Sequence, residues 1–298
     1  MVGVAQLVER RVVVADVAGS SPVAHPTFKG EATMLKPSEF TDILYEISDG
    51  TCTITINRPD RYNAFRGRTV DELIAAFTHA WVDNSVGAVI ITGAGEKAFC
   101  TGGDQKERAA LGNYGPTESG MFEVERLHKT IRAIPKPVIA AVNGFAIGGG
   151  HVLHVLCDLS LASTNARFGQ SGPRVGSFDA GFGSAYLARV VGEKRAREIW
   201  FLCDQYDAET AERWGLVNRV VAPEELMPLA REWAKKIGNL SPTALKTLKH
   251  SFNADTDHIG GIQALAFDVL DLFVQTDEAK EGGAAFVEKR TPDFKQFR

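Results

Sequence analysis

The sequence is poor in several features that mark particular classes of protein. Its 298 residues include four cysteines, Cys52, Cys100, Cys157 and Cys203, and no two of them form a CxxC pair. This spacing argues against a zinc site or a redox dithiol and is typical of a reducing cytoplasm. No apolar run reaches the ~18 residues that a membrane-spanning helix needs. The net charge of −4 gives no reason to expect nucleic-acid binding. We therefore expect a cytoplasmic protein without a nucleic-acid or membrane partner.

Signatures of nucleotide and metal sites are also missing. The chain has 29 glycines but neither a GxGxxG fingerprint nor a Walker loop, which excludes the common dinucleotide and nucleoside triphosphate sites. His151 and His154 are three residues apart, a spacing that can bind a metal. The sequence offers them no third ligand. The pattern therefore favours packing or pocket lining, and no metal site is predicted.

Residues 1–33 differ from the rest of the chain. They contain valine-rich patches but no amphipathic period, and Arg10, Arg11 and Asp16 interrupt any apolar stretch that a secretory signal would need. We expect an N-terminal extension that is either disordered or the product of a start codon assigned too early. In the second case Met34 is the true start.

From residue 43 onward, strands and helices alternate. The hydrophobic content of 44% suffices for one large α/β domain. Asp49–Gly50 is a hairpin signature between two short β-branched runs. The spacing of apolar residues then predicts helices over 69–82 and 123–133 and from 149. Apolar and β-branched runs predict strands over 86–92, 138–142 and 159–162. This alternation predicts a mostly parallel sheet. After about residue 180 the pattern is chiefly helical, over 184–191, 193–202, 208–214, 223–237 and from 242.

Two glycine clusters each follow a predicted buried strand. They are FCTGGDQ at 99–105 and NGFAIGGG at 143–150. Glycine lets the backbone approach a ligand closely and exposes its N–H groups. Two such loops facing each other would supply two donors to a developing oxyanion, and the second also opens a helix. Either cluster alone is equally compatible with a tight strand-to-helix turn.

Taken in order, four motifs resemble those of the crotonase (enoyl-CoA hydratase/isomerase) superfamily. They are RPDRYNAF at 58–65, AFCTGGDQ at 98–105, KPVIAAVNGFAIGGG at 136–150 and FGQSGPRVG at 168–176. The resemblance runs from about Phe40 to the C-terminus. It implies an α/β crotonase (ClpP-like) ββα spiral over 34–240 and a C-terminal helical trimerisation region over 241–298. It further implies an acyl-CoA thioester substrate and a homotrimer or homohexamer.

The same resemblance assigns the site residues. It makes Gly103 and Gly149 the two oxyanion donors, with Asp179 and Ser177 as further catalytic residues. The residues that it implies for substrate and coenzyme A binding are Arg61, Tyr62, Ala64, Ala98, Thr101, Gly102, Asp104, Gln105, Tyr114, Gly148, Gln170, Ser171, Gly172 and Lys289. Asp104 and Gln105 are expected to brace their loop more than to do chemistry.

The reaction is not expected to be hydration. Hydratases of the family need two glutamates, and the matching positions are Val152 and Gly172. One carboxylate remains where chemistry could use it, Asp179, which is also suited to an N-cap. Residues 169–203 resemble the branch that contains 2-ketocyclohexanecarboxyl-CoA hydrolase and 1,4-dihydroxy-2-naphthoyl-CoA synthase. The first opens a cyclic β-ketoacyl-CoA with water, and the second closes a ring.

The choice within this branch favours the ring-opening hydrolase. The motifs NAFRG, AFCTGGDQ, SPTAL and SFNADT are closer to it. The synthases carry tyrosines where this chain has Thr117 and Val274, although Tyr114 lies nearby with uncertain register. Gly172 resembles the synthases that borrow bicarbonate as a base, so bicarbonate stays possible, and no other cofactor is expected. The alternatives left open are the synthase reaction and a non-catalytic acyl-CoA-binding protein.

Overall fold

Two sheets form the frame of the fold in the computed structural model, which describes residues 34–112, 114–119 and 122–298. The expected N-terminal extension, 1–33, lies outside these residues. The larger sheet has the order β1-β2-β3-β5-β7-β10, and the smaller one β4-β6-β8-β9. The strands are β1 (Ile43–Ser48), β2 (Thr51–Ile56), β3 (Ala88–Gly93), β4 (Ala98–Cys100), β5 (Val138–Val142), β6 (Phe145–Ile147), β7 (Leu159–Ser163), β8 (Arg167–Gly169), β9 (Gln205–Asp207) and β10 (Arg219–Val221).

Strand pairing is parallel except at one edge of each sheet. In the larger sheet only β1 and β2 pair antiparallel, and in the smaller sheet only β8 and β9 do. The predicted hairpin is confirmed, because Asp49 and Gly50 join β1 to β2 with φ of 50° and 75°. Positive φ at both central residues is what a tight two-residue hairpin requires. The predicted mostly parallel α/β sheet is therefore confirmed.

Eleven α-helices lie within the described residues. They are α1 (Gly67–Val82), α2 (Gln105–Leu111), α3 (Val124–Ala133), α4 (Gly149–Leu156), α5 (Leu187–Val191), α6 (Glu193–Leu202), α7 (Ala208–Arg213), α8 (Pro223–Gly238), α9 (Pro242–Ala254), α10 (His258–Phe273) and α11 (Asp277–Glu288). Most agree with the predicted helices to within a few residues. The predicted helix over 184–191 differs, since it divides into a π-helical turn, Phe182–Tyr186, and α5.

The larger sheet is buried on both faces. Every residue of β3 and β5 is buried, which explains their continuous apolar sequences. Alternate residues on one face, including Ile90 and Ile139, pack on Leu226, Ala230 and Ala234 of α8. The residues on the other face, including Ile91 and Val138, join a core that reaches α1, α3 and α4. The smaller sheet joins the same core through Phe99, Ala146 and Phe168.

The C-terminal helices carry apolar side chains on their surface. Phe252 is 77% exposed, Leu265 66% and Leu272 73%. Within the described part of the chain, no single helix is long and apolar enough to cross a membrane. Helices α10 and α11 meet the length and hydropathy criteria only when taken together, and they are bent by 79° relative to each other. The residues from Leu35 to Arg298 cluster as one unit. The expected trimer or hexamer stays a prediction.

Candidate active site

Three loops meet at one edge of the smaller sheet. They follow the carboxyl ends of β4, β6 and β8, which are adjacent parallel strands. Residues 101–104, 148–149 and 170–172 are therefore neighbours, as expected where parallel strands end side by side. Both predicted glycine clusters and the Gln170–Gly172 segment come together at this edge.

The two glycine loops touch each other. Gly102 has a φ of +78°, and a Cβ on it would lie 2.8 Å from the Gly149 nitrogen. Glycine is therefore required there by both conformation and space. Gly149 opens α4, where a backbone N–H has no intrahelical acceptor. Among the described residues no acceptor contacts the N–H of Gly103 or Gly149. Two backbone donors at neighbouring loop tips are the arrangement that stabilises a thioester enolate oxygen.

Asp104 holds the first loop in place. Its Oδ1 accepts from the backbone N–H of Lys106 and Glu107 at the start of α2, and its Oδ2 lies 3.0 Å from Arg58 Nη2. The backbone of Phe65 pairs with Gly102 and Asp104 on the other side, at 2.8 Å each. These contacts are those of a brace, and Asp104 does not line the cavity described next.

A cavity of about 110 Å³ lies against the glycine loops. Twelve of the predicted site residues line it: Thr101, Gly102, Gly103, Gln105, Tyr114, Gly148, Gly149, Gln170, Ser171, Gly172, Ser177 and Asp179. The others, Arg61, Tyr62, Ala64, Ala98, Asp104 and Lys289, lie outside its lining. Lys289 sits beyond α11 in a separate depression with Arg174 and Phe201. The roles predicted for these six residues stay predictions.

The two carboxylate oxygens of Asp179 have different contacts. Its Oδ1 accepts from the backbone N–H of Gly181 at 3.2 Å and of Gly183 at 2.9 Å, so it caps the start of the π-helical turn. Its Oδ2 has no hydrogen-bond partner among the described residues. Asp179 is also the one carboxylate among the described residues that line the cavity. One oxygen therefore holds the loop, and the other is available to a substrate or a water.

The last helix supports the loop that carries Ser177. A Cβ on Gly282 of α11 would lie 2.3 Å from the Gly176 nitrogen. Gly176 itself has a φ of +67°, and a Cβ there would meet the backbone of Ala279. The backbones of α11 and of this loop are therefore in direct contact. The C-terminal region helps to position the site as well as presenting an apolar surface.

Tyr114 lies directly over Gly103, one of the two predicted oxyanion donors. A Cβ on Gly103 would be 2.4 Å from Tyr114 Cε1, and the phenol ring stacks on Phe122 with centroids 4.6 Å apart. Its hydroxyl lies 3.4 Å from Gln105 Nε2. Thr117 and Val274, the other two positions where the synthases carry tyrosine, do not line the cavity. A phenol is thus present at the site through Tyr114.

Five large residues that sequence reasoning missed complete the wall: Phe122, His128, Phe178, Trp200 and Phe267. His128 lies on α3 among the buried positions 124, 127, 128 and 131. A titratable residue on a buried helix face is a signal that could have been found in the sequence. The others are ordinary core aromatics there, and no motif identifies them.

At the two positions where hydratases of the family are expected to carry glutamates, this chain has residues that pack closely against their neighbours. Val152 is 1% exposed within the core. A Cβ on Gly172 would lie 2.7 Å from the Ser177 carbonyl oxygen and 3.0 Å from the Trp200 ring, so glycine is needed there. The bicarbonate expected beside Gly172 stays a prediction.

His151 and His154 lie behind the second glycine loop. Both are fully buried, their ring centroids are 4.9 Å apart, and both contact Phe168. Burial lowers the pKa of His151 to about 3, and burial together with the neighbouring His151 holds the pKa of His154 well below its ordinary value. Nowhere in the described residues do three or more His, Cys, Asp or Glu side chains converge as a metal site would require. Each ring also has one side-chain hydrogen-bond partner, since His154 Nδ1 lies 3.2 Å from Ser160 Oγ and His151 Nδ1 lies 3.4 Å from Gln170 Nε2.

Known proteins are similar to this chain in both architecture and sequence. The profile of the enoyl-CoA hydratase/isomerase family matches residues 46–297. An enoyl-CoA hydratase from Mycobacterium avium subsp. paratuberculosis is 30% identical with a TM-score of 0.76, covering 85% of this chain and 98% of its own. An enoyl-CoA hydratase/isomerase from Pseudoalteromonas atlantica is 27% identical with a TM-score of 0.77, covering 85% and 100%. A monofunctional enoyl-CoA isomerase from M. smegmatis is 32% identical with a TM-score of 0.63, covering 72% and 94%. With the paired glycine loops in place, this chain belongs to the enoyl-CoA hydratase/isomerase, or crotonase, family.

Proposed function

We propose that the protein hydrolyses a carbon–carbon bond in a cyclic β-oxoacyl-CoA, as a 2-ketocyclohexanecarboxyl-CoA hydrolase does. The observation that carries the proposal is the position of Asp179. It is the single carboxylate at the described cavity wall, and its Oδ2 has no hydrogen-bond partner among the described residues. Hydration by two glutamates has no counterpart, because Val152 and Gly172 stand at their positions.

The reaction uses Asp179 as a base and then as an acid. Asp179 Oδ2 takes a proton from water, and the water oxygen attacks the ring carbonyl carbon. The bond from that carbon to the α-carbon then breaks, and its electron pair forms the thioester enolate. The N–H groups of Gly103 and Gly149 stabilise the enolate oxygen. Asp179 returns the proton to the α-carbon. The product is the substrate plus one water, with its thioester intact and a new carboxyl group.

The lining of the cavity is compatible with an alicyclic acyl group. Phe65, Phe122 and Phe267 provide apolar surface around it.

Incubation of the purified protein with 2-ketocyclohexanecarboxyl-CoA, followed by mass spectrometry, tests the proposal. We expect a product heavier by one water that retains coenzyme A. The Asp179→Asn variant should lower the rate by about 10²–10⁴-fold, the usual contribution of a general base. Asparagine keeps an Oδ1 for Gly181 and Gly183, so a matching melting temperature shows that the loop is intact.

Other outcomes point to other functions. Release of free coenzyme A would indicate a thioesterase that cuts the carbon–sulfur bond. Inertness toward this thioester together with cyclisation of succinylbenzoyl-CoA, measured with and without bicarbonate, would replace the hydrolase with the synthase reaction. Tight coenzyme A binding without turnover of either thioester would indicate a non-catalytic acyl-CoA-binding protein.

A further inference from the structure

One polar group in the cavity wall has no role in the reaction described so far. His128 is 1% exposed and lines the cavity from α3. Its Nδ1 lies 2.6 Å from Gln263 Nε2 of α10. Its ring also packs against Phe182 and Phe267, with centroids 6.4 and 6.3 Å apart. The imidazole is therefore fixed in place by two helices and the π-helical turn.

The contacts of Gln263 determine which nitrogen of His128 carries the hydrogen. The backbone N–H of Phe182 donates to Gln263 Oε1 at 3.0 Å, so this amide oxygen is the acceptor. The amide nitrogen facing His128 must then donate, and Nδ1 must accept. A neutral imidazole that accepts at Nδ1 carries its hydrogen at Nε2. His128 thus has a fixed tautomer with Nε2 as its donor.

This donor is unsatisfied. Nε2 of His128 is buried, and no described residue provides it with a hydrogen-bond partner. A buried donor without a partner is costly, and the cost is removed when a ligand supplies the acceptor. Burial lowers the pKa of His128, and the charge of Asp179 only partly opposes this. The ring is therefore neutral near pH 7, and it acts as a hydrogen-bond donor without giving up its proton.

We propose that the Nε2–H of His128 donates a hydrogen bond to an oxygen in the acyl group of the substrate. The site therefore selects acyl-CoA thioesters whose acyl group carries an oxygen beyond the thioester, and disfavours plain alkyl or alkenyl chains. A hydrocarbon acyl group would leave this donor buried without a partner. Identifying that oxygen as the ring ketone rests on the proposed function. There the same bond polarises the carbonyl that water attacks and stabilises the alkoxide that forms.

A binding measurement without turnover tests the inference. In the Asp179→Asn background, the dissociation constants of 2-ketocyclohexanecarboxyl-CoA and cyclohexanecarboxyl-CoA are compared by calorimetry. The two thioesters differ by the ring oxygen. We expect the oxo compound to bind about 5–150-fold more tightly, the range for satisfying one buried donor.

Two amide variants of His128 form a matched pair. His128→Gln places an amide nitrogen near the Nε2 position and should keep most of the preference. His128→Asn places its amide near the Nδ1 position, can still contact Gln263, and should lose the preference. An unchanged preference in His128→Asn, or equal affinity for both thioesters in the parent, would overturn the inference. The binding test does not measure ring opening. It therefore stays informative even if the proposed ring-opening function fails.

Discussion

The two ends of the cavity differ in whether backbone or side-chain groups line them. At the proposed thioester end the predicted working groups are backbone N–H donors at Gly103 and Gly149, where the loops approach too closely for a side chain. At the proposed acyl end the predicted working groups are side chains, chiefly Asp179, Ser177 and His128. Backbone donors do not change when side chains do, whereas an acyl end made of side chains can change by single substitutions. One end can therefore be kept across a family while the other sets the reaction.

The relatives illustrate this division. Proteins described as hydratases and as an isomerase match this chain at 27–32% identity over most of their length. The family profile matches residues 46–297, which include both glycine loops. Val152 and Gly172, in contrast, provide no carboxylate, and Asp179 lies further along the segment between β8 and the π-helical turn that also holds Gly172. The proposed departure from hydration thus rests on the acyl end.

After the loss expected for Asp179→Asn, the largest effect is expected from removing one backbone donor. Proline fits the first position of a helix, so Gly149→Pro removes the N–H while keeping the helical start. We expect kcat/KM to fall by about 10²–10³-fold, as for the loss of an oxyanion-hole donor. Gly149→Ala is the control. It keeps the N–H, although its Cβ would lie 2.6 Å from the end of the Phe65 ring.

Steady-state kinetics and thermal unfolding of both variants separate the two effects. If the alanine variant lost as much activity as the proline variant, crowding of Phe65 and not the N–H would be responsible. The claim that the thioester end works through its backbone would then be wrong.

A smaller effect should distinguish the buried histidines at the two ends. Burial lowers the pKa of His128, His151 and His154 in the folded protein, to about 3 for His151. The unfolded chain binds these protons below about pH 6.5, and the folded protein does not until its lower pKa values. The free energy of unfolding should therefore fall as the pH drops below about 6.5, by up to about 1.4 kcal/mol per pH unit for each histidine.

Urea unfolding between pH 7.5 and 4.5 measures this slope. His154→Asn and His128→Asn should each reduce it by about one proton. His154 lies behind the thioester-end loop and outside the cavity lining, so its variant should retain kcat/KM. His128→Asn, which lacks a donor at the Nε2 position, should lower kcat/KM as well. Equal activity losses in both variants would contradict the assignment of His128 to the acyl end.

Local patterns predicted the frame and the thioester end better than the acyl end. Each of the features that were predicted well is encoded by a few consecutive residues. They are the Asp49–Gly50 hairpin, the buried strands and the two glycine clusters, and the structure contains all of them. The path from Phe182 through Gln263 to His128 could not be predicted, because Gln263 and His128 are 135 residues apart and meet only through tertiary packing. The π-helical turn was predicted as ordinary helix, since a single turn with i→i+5 hydrogen bonds is too short to show an apolar period of its own.

The smallest expected effect compares two serines, one at each end. Ser177 lines the cavity on the Asp179 loop, and its hydroxyl has no hydrogen-bond partner among the described residues. Ser171 lies at the thioester end, with its Oγ 3.5 Å from the Cβ that Gly148 would have. Ser177→Ala should lower kcat by about 2–10-fold, the contribution of one neutral hydrogen bond, without changing the melting temperature. Ser171→Ala should act mainly on KM, since the thioester end binds parts of the substrate that do not react. If Ser171→Ala reduced kcat and Ser177→Ala did not, the bond that breaks would lie nearer the thioester carbonyl, and thioester hydrolysis would explain the site better than ring opening.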